Sequence, residues 1–418
     1  MRTFPTSFLN RAISINTRNG FWALADQGAV SLGTFLTSIV LARSLPPTEY
    51  GIFALICGII YFLNSLHSAV VIVPLIARGA CAEESEIRRM ATGALILTAP
   101  LILPQAIVIC GATWAVGRPG LTPWVIAALL FWQFQEIIRR TFMARLRHRE
   151  AAWGDIVRYL GQAVVVYIYA AGRNVSVEKA FAVMAVASGA AGLLQVIQHG
   201  LKLAPLSEIR RLVCMFWELG QWVLMTNFIG ALIIQAYPWM LTYFYNTATS
   251  AKLQAVTNIL GVSNPVFLGI GSLIYPAVAR TNGELGGREA TKVGFGYAVQ
   301  GGMLLLPFYL ILMLWPQWAL RLFYGADSPY LGLAGALRIF VLCYSIGYLS
   351  NFMMIILNGL EKTKVAFFSQ LASAITTIVV GAPLTAWGGV AGATAGGGLT
   401  TLAQLIASGF YLKNATKT

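Results

Sequence analysis

Twelve long apolar runs joined by short polar connections are the feature that most limits what this chain can fold into. They lie near 21–42, 50–76, 91–116, 121–138, 156–171, 181–196, 216–242, 253–278, 295–314, 331–357, 365–383 and 388–411. Most approach or exceed the roughly 20 residues a helix needs to cross a hydrocarbon core. The fifth and sixth are the shortest. A membrane barrel would alternate polar and apolar residues in segments of about ten, and unpaired strands cannot satisfy their backbone in lipid. A soluble helical bundle would keep a polar face on each helix. The expected fold class is therefore all-α polytopic, with about twelve transmembrane helices.

Composition agrees. The apolar share is 57% and the charged share 11%, against about 25% charged in a typical soluble domain. The formal net charge of +14 does not indicate nucleic-acid binding, because the basic residues are distributed between apolar runs. Cys57, Cys81, Cys110, Cys214 and Cys343 show no close pairing, and the three histidines are scattered. Neither a disulfide framework nor a metal site is expected. The first run is longer than the 7 to 15 residues of a usual signal-peptide core. It reads as a retained signal anchor.

The basic residues alternate across the runs. Of 29 Lys and Arg, 22 fall on the side of the N-terminus, from Arg2 through Arg88, Arg158 and Lys202 to Lys417. Six fall on the other side (Arg43, Arg118, Arg173, Lys179, Lys252 and Arg321), and Arg338 lies within the tenth run. The positive-inside rule makes the richer side cytoplasmic. Both termini are expected there, in the cytoplasmic (inner) membrane. The connections are too short for a soluble catalytic domain of 50 or more residues. No Gly-rich Lys-Ser/Thr nucleotide loop is present. The chain is expected to be a transporter rather than an enzyme and to need no cofactor. Transport would be downhill or coupled to a proton or sodium gradient.

Gly20-Phe21-Trp22-Ala23-Leu24 and Gly220-Gln221-Trp222-Val223-Leu224 share a Gly-x-Trp-x-Leu pattern 200 positions apart. They open the first and seventh runs, which suggests a six-plus-six repeat about an axis along the membrane normal. The expected divisions are a cytoplasmic segment 1–20, an N-terminal lobe 21–198, a linker 199–211, a C-terminal lobe 212–412 and a cytoplasmic tail 413–418.

Four further segments carry a family resemblance. They are Leu41-Ala42-Arg43-Ser44-Leu45-Pro46-Pro47-Thr48-Glu49-Tyr50-Gly51-Ile52-Phe53, Ile274-Tyr275-Pro276-Ala277, Gly359-Leu360-Glu361-Lys362-Thr363-Lys364 and Gly388-Gly389-Val390-Ala391-Gly392-Ala393. In order and position the chain resembles the polysaccharide-export branch of the multidrug, oligosaccharidyl-lipid and polysaccharide flippase superfamily. The resemblance implies two six-helix lobes around a central cavity, and movement of a polyprenyl-pyrophosphate-linked oligosaccharide to the outer leaflet. Implied partners are that lipid-linked sugar and anionic membrane lipids, with a polysaccharide polymerase and export proteins as further candidates. Many members carry an acidic residue in the second half of the seventh span, where this chain has Ala236-Tyr237-Pro238-Trp239. A mechanism using that carboxylate is not expected here.

Polar residues inside apolar runs are the candidate working groups, because a buried charge costs several kcal/mol, roughly 2.5–3.5 on the lenient insertion scale. Asp26 reads as a titrating cavity residue or as a carboxylate held by water or an arginine. Glu218 occupies a similar depth in the seventh run. Arg338 could bind a pyrophosphate through its planar fork or snorkel to the interface. Asn64 and His67 share a helical face and could bind sugar hydroxyls or join helices. Asn227, Asn258 and Asn264 pose the same choice, and Pro265 is expected to bend the eighth helix. Arg139, Arg140 and Arg145, in the densest basic patch, either set topology or attract anionic headgroups. The rival functions are a gradient-coupled exporter of drugs or small solutes and a polysaccharide polymerase.

Overall fold

The computed structural model describes residues 6–79, 82–145, 147–200, 206–360 and 362–415. Arg2, Cys81, Lys202, Glu361 and Lys417 lie outside them, as do the side chains of Arg11, Arg18, Trp222, Pro276 and Lys413. Among the described residues there are helices and no strand.

The first half runs α1 (Thr6–Ser44), α2 (Pro47–His67), α3 (Val73–Gly79), α4 (Glu84–Ala115), α5 (Thr122–Ala144), α6 (His148–Asp155), α7 (Gly161–Ala171) and α8 (Val177–His199). The second half runs α9 (Leu206–Phe244), α10 (Thr247–Gly261), α11 (Asn264–Leu285), α12 (Gly287–Leu314), α13 (Pro316–Tyr324), α14 (Ala334–Gly359), α15 (Thr363–Thr376) and α16 (Ala382–Ala415). Wide π-helical turns at Ser68–Ile72, Ile156–Leu160 and Thr377–Gly381 join α2 to α3, α6 to α7 and α15 to α16.

Nine helical stretches among the described residues are long and apolar enough to span a bilayer, or ten with the bent pair α10–α11. The stretch Lys364–Phe410 has 47 residues, about 70 Å at 1.5 Å per residue and twice a hydrocarbon core. It turns back on itself at Gly389, whose φ of 55° and ψ of −131° are not helical. Only a residue without a Cβ adopts that geometry at little cost. The stretch is thus two spans. Helices α6 and α7, joined by their π turn, carry the expected fifth span, although they are not among these apolar stretches.

Two expectations need adjustment. The fifth span starts at His148 rather than 156, and the sixth covers Val177–His199 rather than 181–196. Ser176 caps the sixth, accepting from Lys179 N at 3.3 Å. The eighth span is bent by 55° between Gly261 and Asn264, just before Pro265, as expected. Helix α4 continues unbroken through Pro100 and Pro104.

The described chain divides into two compact units. The first comprises Met1–Thr37 and Leu63–Asn227, the second Ser38–Phe62 and Phe228–Thr418. In the first, α5 packs along α8; in the second, α14 packs along α16 and α11 along α12.

Candidate functional site: a buried charge network

The first unit holds a cluster of charges that an apolar span would ordinarily exclude. It is built from three helical faces. On α1, Asp26, Ala29, Gly33 and Thr37 recur at helical spacing and are all buried. Gly33 lets that face close on the fifth span, since a Cβ there would stand 2.5 Å from the Tyr159 carbonyl oxygen. Gln162 Nε2 donates to Thr37 Oγ1 at 3.4 Å further along the same face. On α5, Gln135, Glu136 and Arg139 share a face by their three- and four-residue spacing. On the fifth span, Asp155 is followed by the π turn. Asp155 and Arg158 are both buried, at 0% and 2% exposure. Such wide turns recur at functional positions in helices.

Arg139 is the hub. Its Nη2 donates to Asp26 Oδ2 at 2.7 Å. Its Nε lies 2.6 Å from Asp155 Oδ2, in ionic contact though not aligned as a hydrogen bond. Its Nη1 is 3.3 Å from both carboxylate oxygens of Glu136. Arg140 Nε reaches Glu136 Oε1 at 2.5 Å. Gln135 Nε2 donates to Asp155 Oδ1 at 3.1 Å and to Gln195 Oε1 of α8 at 3.3 Å. Arg158 Nη1 donates to Gln135 Oε1 at 2.8 Å, and its guanidinium stacks 4.4 Å from the Trp132 ring centroid. Three carboxylates and three guanidiniums thus balance in formal charge. A buried ion is tolerable only when paired and hydrogen-bonded in this way. Asp26 Oδ1 is buried with no hydrogen-bond partner, so the network has unused acceptor capacity. No group of three His, Cys, Asp or Glu among the described residues could hold a metal ion.

Of the residues read from the sequence, the network contains Asp26, Arg139 and Arg140. Arg139 does not belong to a surface patch. It is 5% exposed and committed to carboxylates, so it is not available to attract headgroups. Arg158, counted above as a loop charge, is likewise buried in the fifth span. Arg140 and Arg145 remain about one-third exposed, and Arg145 Nη1 donates to the Ala82 carbonyl at 2.8 Å. Asp155, Gln135 and Gln195 were missed. The signal for Asp155 was its position just before an apolar run that begins earlier than hydropathy alone suggests.

His67 is buried, its Nε2 2.9 Å from Thr98 Oγ1, and so joins α2 to α4. Asn64 Oδ1 is buried without a partner. Asn227 Nδ2 donates to the Ser65 carbonyl at 3.2 Å. Glu218 is exposed on α9.

In the second unit, Arg338 is exposed and its Nε donates to the Met313 carbonyl at 3.0 Å. Asn264 Oδ1 accepts from Tyr344 at 2.7 Å beside the α10–α11 bend. Tyr237 shares a 2.7 Å hydrogen bond with Thr400, which lies 3.2 Å from Thr377. Hydroxyls therefore fill the seventh-span position where the resemblance leads one to look for an acid.

These features define an all-α polytopic membrane protein carrying a buried ion network inside its first unit. No family model matches the sequence, and no curated protein matches it. Solved structures do match the fold. A multidrug resistance transporter of the MATE family, of the MOP superfamily, in an inward-facing conformation aligns with a TM-score of 0.74 at 14% identity, over 95% of this chain and 99% of its own. The lipid II flippase MurJ, in an inward closed conformation, aligns at 0.74 and 12%, over 94% and 87%. The MATE multidrug transporter DinF-BH, in a ligand complex, aligns at 0.70 and 16%, over 96% and 95%. This chain is similar to them in fold along nearly its whole length.

Proposed function

We propose that this protein translocates a polyprenyl-pyrophosphate-linked oligosaccharide across the cytoplasmic membrane for surface polysaccharide synthesis, working as two six-helix lobes with both termini in the cytoplasm. The observation that carries a transport role is the Arg139 network. A chain that merely anchored itself in lipid would gain nothing from three carboxylates and an arginine in its interior, whereas a transporter can use them. A cation engaging the unpartnered Asp26 Oδ1 would weaken one of the contacts that hold Arg139. The hub would shift toward the remaining acids, which gives a physical route from ion binding to helix movement. Support for an anionic, lipid-linked cargo comes from the partly exposed Arg140 and Arg145, from the sequence resemblance and from the flippase-like fold. Export of drugs or small solutes is the second reading, favoured by the equal likeness in fold to the multidrug transporters.

Reconstitution separates the two. Proteoliposomes should exchange a fluorescent polyprenyl-pyrophosphate oligosaccharide between leaflets and show no gradient-driven efflux of cationic dyes. Dye efflux without lipid exchange would establish the second reading in its place.

A further inference from the structure

Helix α13 lies between two spans and has three distinct faces. At roughly 100° per residue, Pro316, Ala319 and Leu320 fall on one side and are buried. Trp318 and Leu322 fall on a second side and are 57% and 53% exposed, and Trp315, immediately before the helix, is 59% exposed. Gln317 and Arg321 occupy the third side, exposed and polar. A helix bounded by protein, water and nothing else would not leave a tryptophan and a leucine on an open face next to a second open tryptophan. A helix buried in hydrocarbon would not carry a polar strip. Only a boundary plane supplies protein, acyl chain and water at once.

The chain connectivity fixes which boundary. Leu314 ends the span Gly287–Leu314, and the next span begins at Leu331. Helix α13 starts one residue after Trp315 takes the chain out of the helical conformation, at φ −123° and ψ 55°. It therefore sits where the chain leaves and re-enters the bilayer, which by the charge alternation is the outer side. Its attachment is firm. Arg43, at the end of α1, donates from Nε to the Phe323 carbonyl at 2.6 Å and from Nη2 to the Leu322 carbonyl at 2.7 Å. These are carbonyls of the last helical turn, which have no partner within the helix. The cation also suits the negative end of the helix dipole. Tyr324 OH donates to the Ala255 carbonyl of α10 at 2.8 Å.

We propose that α13 is a lipid-docking helix. It lies in the plane of the outer membrane interface, with Trp315, Trp318 and Leu322 seated at the boundary between headgroups and acyl chains. Its polar strip faces water. The lipid surface thereby holds a helix that Arg43 ties to the turn connecting the first two spans.

The proposal is independent of what the protein transports. Nitroxide labels at single cysteines report it, in vesicles of phosphatidylcholine and phosphatidylglycerol. Collision rates with oxygen and with a water-soluble nickel chelate are compared at positions 317, 318, 321 and 322. Position 310, exposed on α12, serves as the deep reference and position 327 as the aqueous one. All six side chains are exposed, so labelling leaves the packing intact. Positions 318 and 322 should be oxygen-favoured and intermediate between the two references, and 317 and 321 should be chelate-favoured. Chelate-dominated values at all four positions, like 327, would overturn the proposal. So would oxygen-dominated values at all four, like 310. If the cysteine-free background does not fold, Trp315→Phe/Trp318→Phe in the otherwise unaltered chain gives a second readout. This pair should lower quenching of the protein's fluorescence by lipids brominated near the carbonyl end of the acyl chain. Unchanged quenching would sink the idea.

Discussion

Arg139 Nη2 stands 2.7 Å from Asp26 Oδ2, joining helices α1 and α5 across 113 positions of sequence. The two partners are not equivalent. Asp26 has this one charged donor, whereas Arg139 also holds Asp155 and Glu136. Removing the hub strands several acids; removing Asp26 leaves the hub still occupied. Arg139→Gln is therefore expected to cost about 3–5 kcal/mol, the range for an uncompensated buried charge. Asp26→Asn should cost clearly less. Unfolding of the purified variants in one detergent measures both, and equal losses would refute a hub at Arg139.

Gly33 sets the distance between α1 and the fifth span. Gly33→Ala places a methyl against the Tyr159 backbone, which cannot swing aside as a side chain can. Overpacking of this kind costs about 1–3 kcal/mol. The Asp26–Arg139 coupling, measured by a double-mutant cycle, should shrink in the Gly33→Ala background. A cycle of unchanged size would mean that the ion pair does not depend on this close approach.

Within the second unit, Asn258 Nδ2 donates to Ser38 Oγ at 2.8 Å and to Tyr50 OH at 2.7 Å, while Ser38 and Tyr50 are 2.8 Å apart. Gln254 Nε2 completes the set by donating to Asn258 Oδ1 at 2.9 Å. Tyr50→Phe leaves Ser38 and Asn258 bonded to each other, so a loss of about 0.5–1.5 kcal/mol is expected. Asn258→Leu breaks three contacts and should cost more. It should also raise amide exchange along residues 38–62 more than Tyr50→Phe does. The reverse order would show that the tyrosine hydroxyl, not the amide, organises this cluster.

Arg338 is exposed and holds one carbonyl, so Arg338→Gln should change stability by no more than about 0.5 kcal/mol. If Arg338 meets the anionic headgroup during transport, the same variant should lose lipid exchange while melting normally. Arg338→Lys should recover part of it, since an ammonium lacks the bidentate fork. Normal exchange by Arg338→Gln would remove this residue from the mechanism.

Orientation is open to direct labelling. Cysteines at positions 46, 174 and 327 should react with a membrane-impermeant reagent from outside. Those at 147, 286 and 415 should react only from the cytoplasmic side. Reversal at both ends of one span would delete that span from the topology.

The all-helical, membrane-spanning class was legible because hydrocarbon imposes its length on the apolar runs. The α10–α11 bend was legible because Pro265 announces it. The charge network was only partly so. Asp26 stood out as an acid in an apolar run, but Arg139 and Arg158 read as charges of the cytoplasmic side, and Asp155, just ahead of an apolar run, drew no attention. What relocates them is mutual compensation, which joins positions 26, 136, 139 and 155 and has no signature along one dimension. The π turn after Asp155 added to the difficulty, because it shifts the helical register by one residue and no composition marks it.

The reversal at Gly389 bears on how the protein is made. The last two spans have no loop between them, and Gly392 is pressed against the Leu384 backbone at the bend. Neither arm can therefore settle in the membrane and wait for the other across a flexible connector. The two arms form one hairpin and depend on each other for cover. A ribosome stalled or a chain cut shortly after Gly389 would leave α15 and the first part of α16 without the length of helix that covers them. Quality control at the membrane would then have a defined, unpaired hydrophobic segment to recognise.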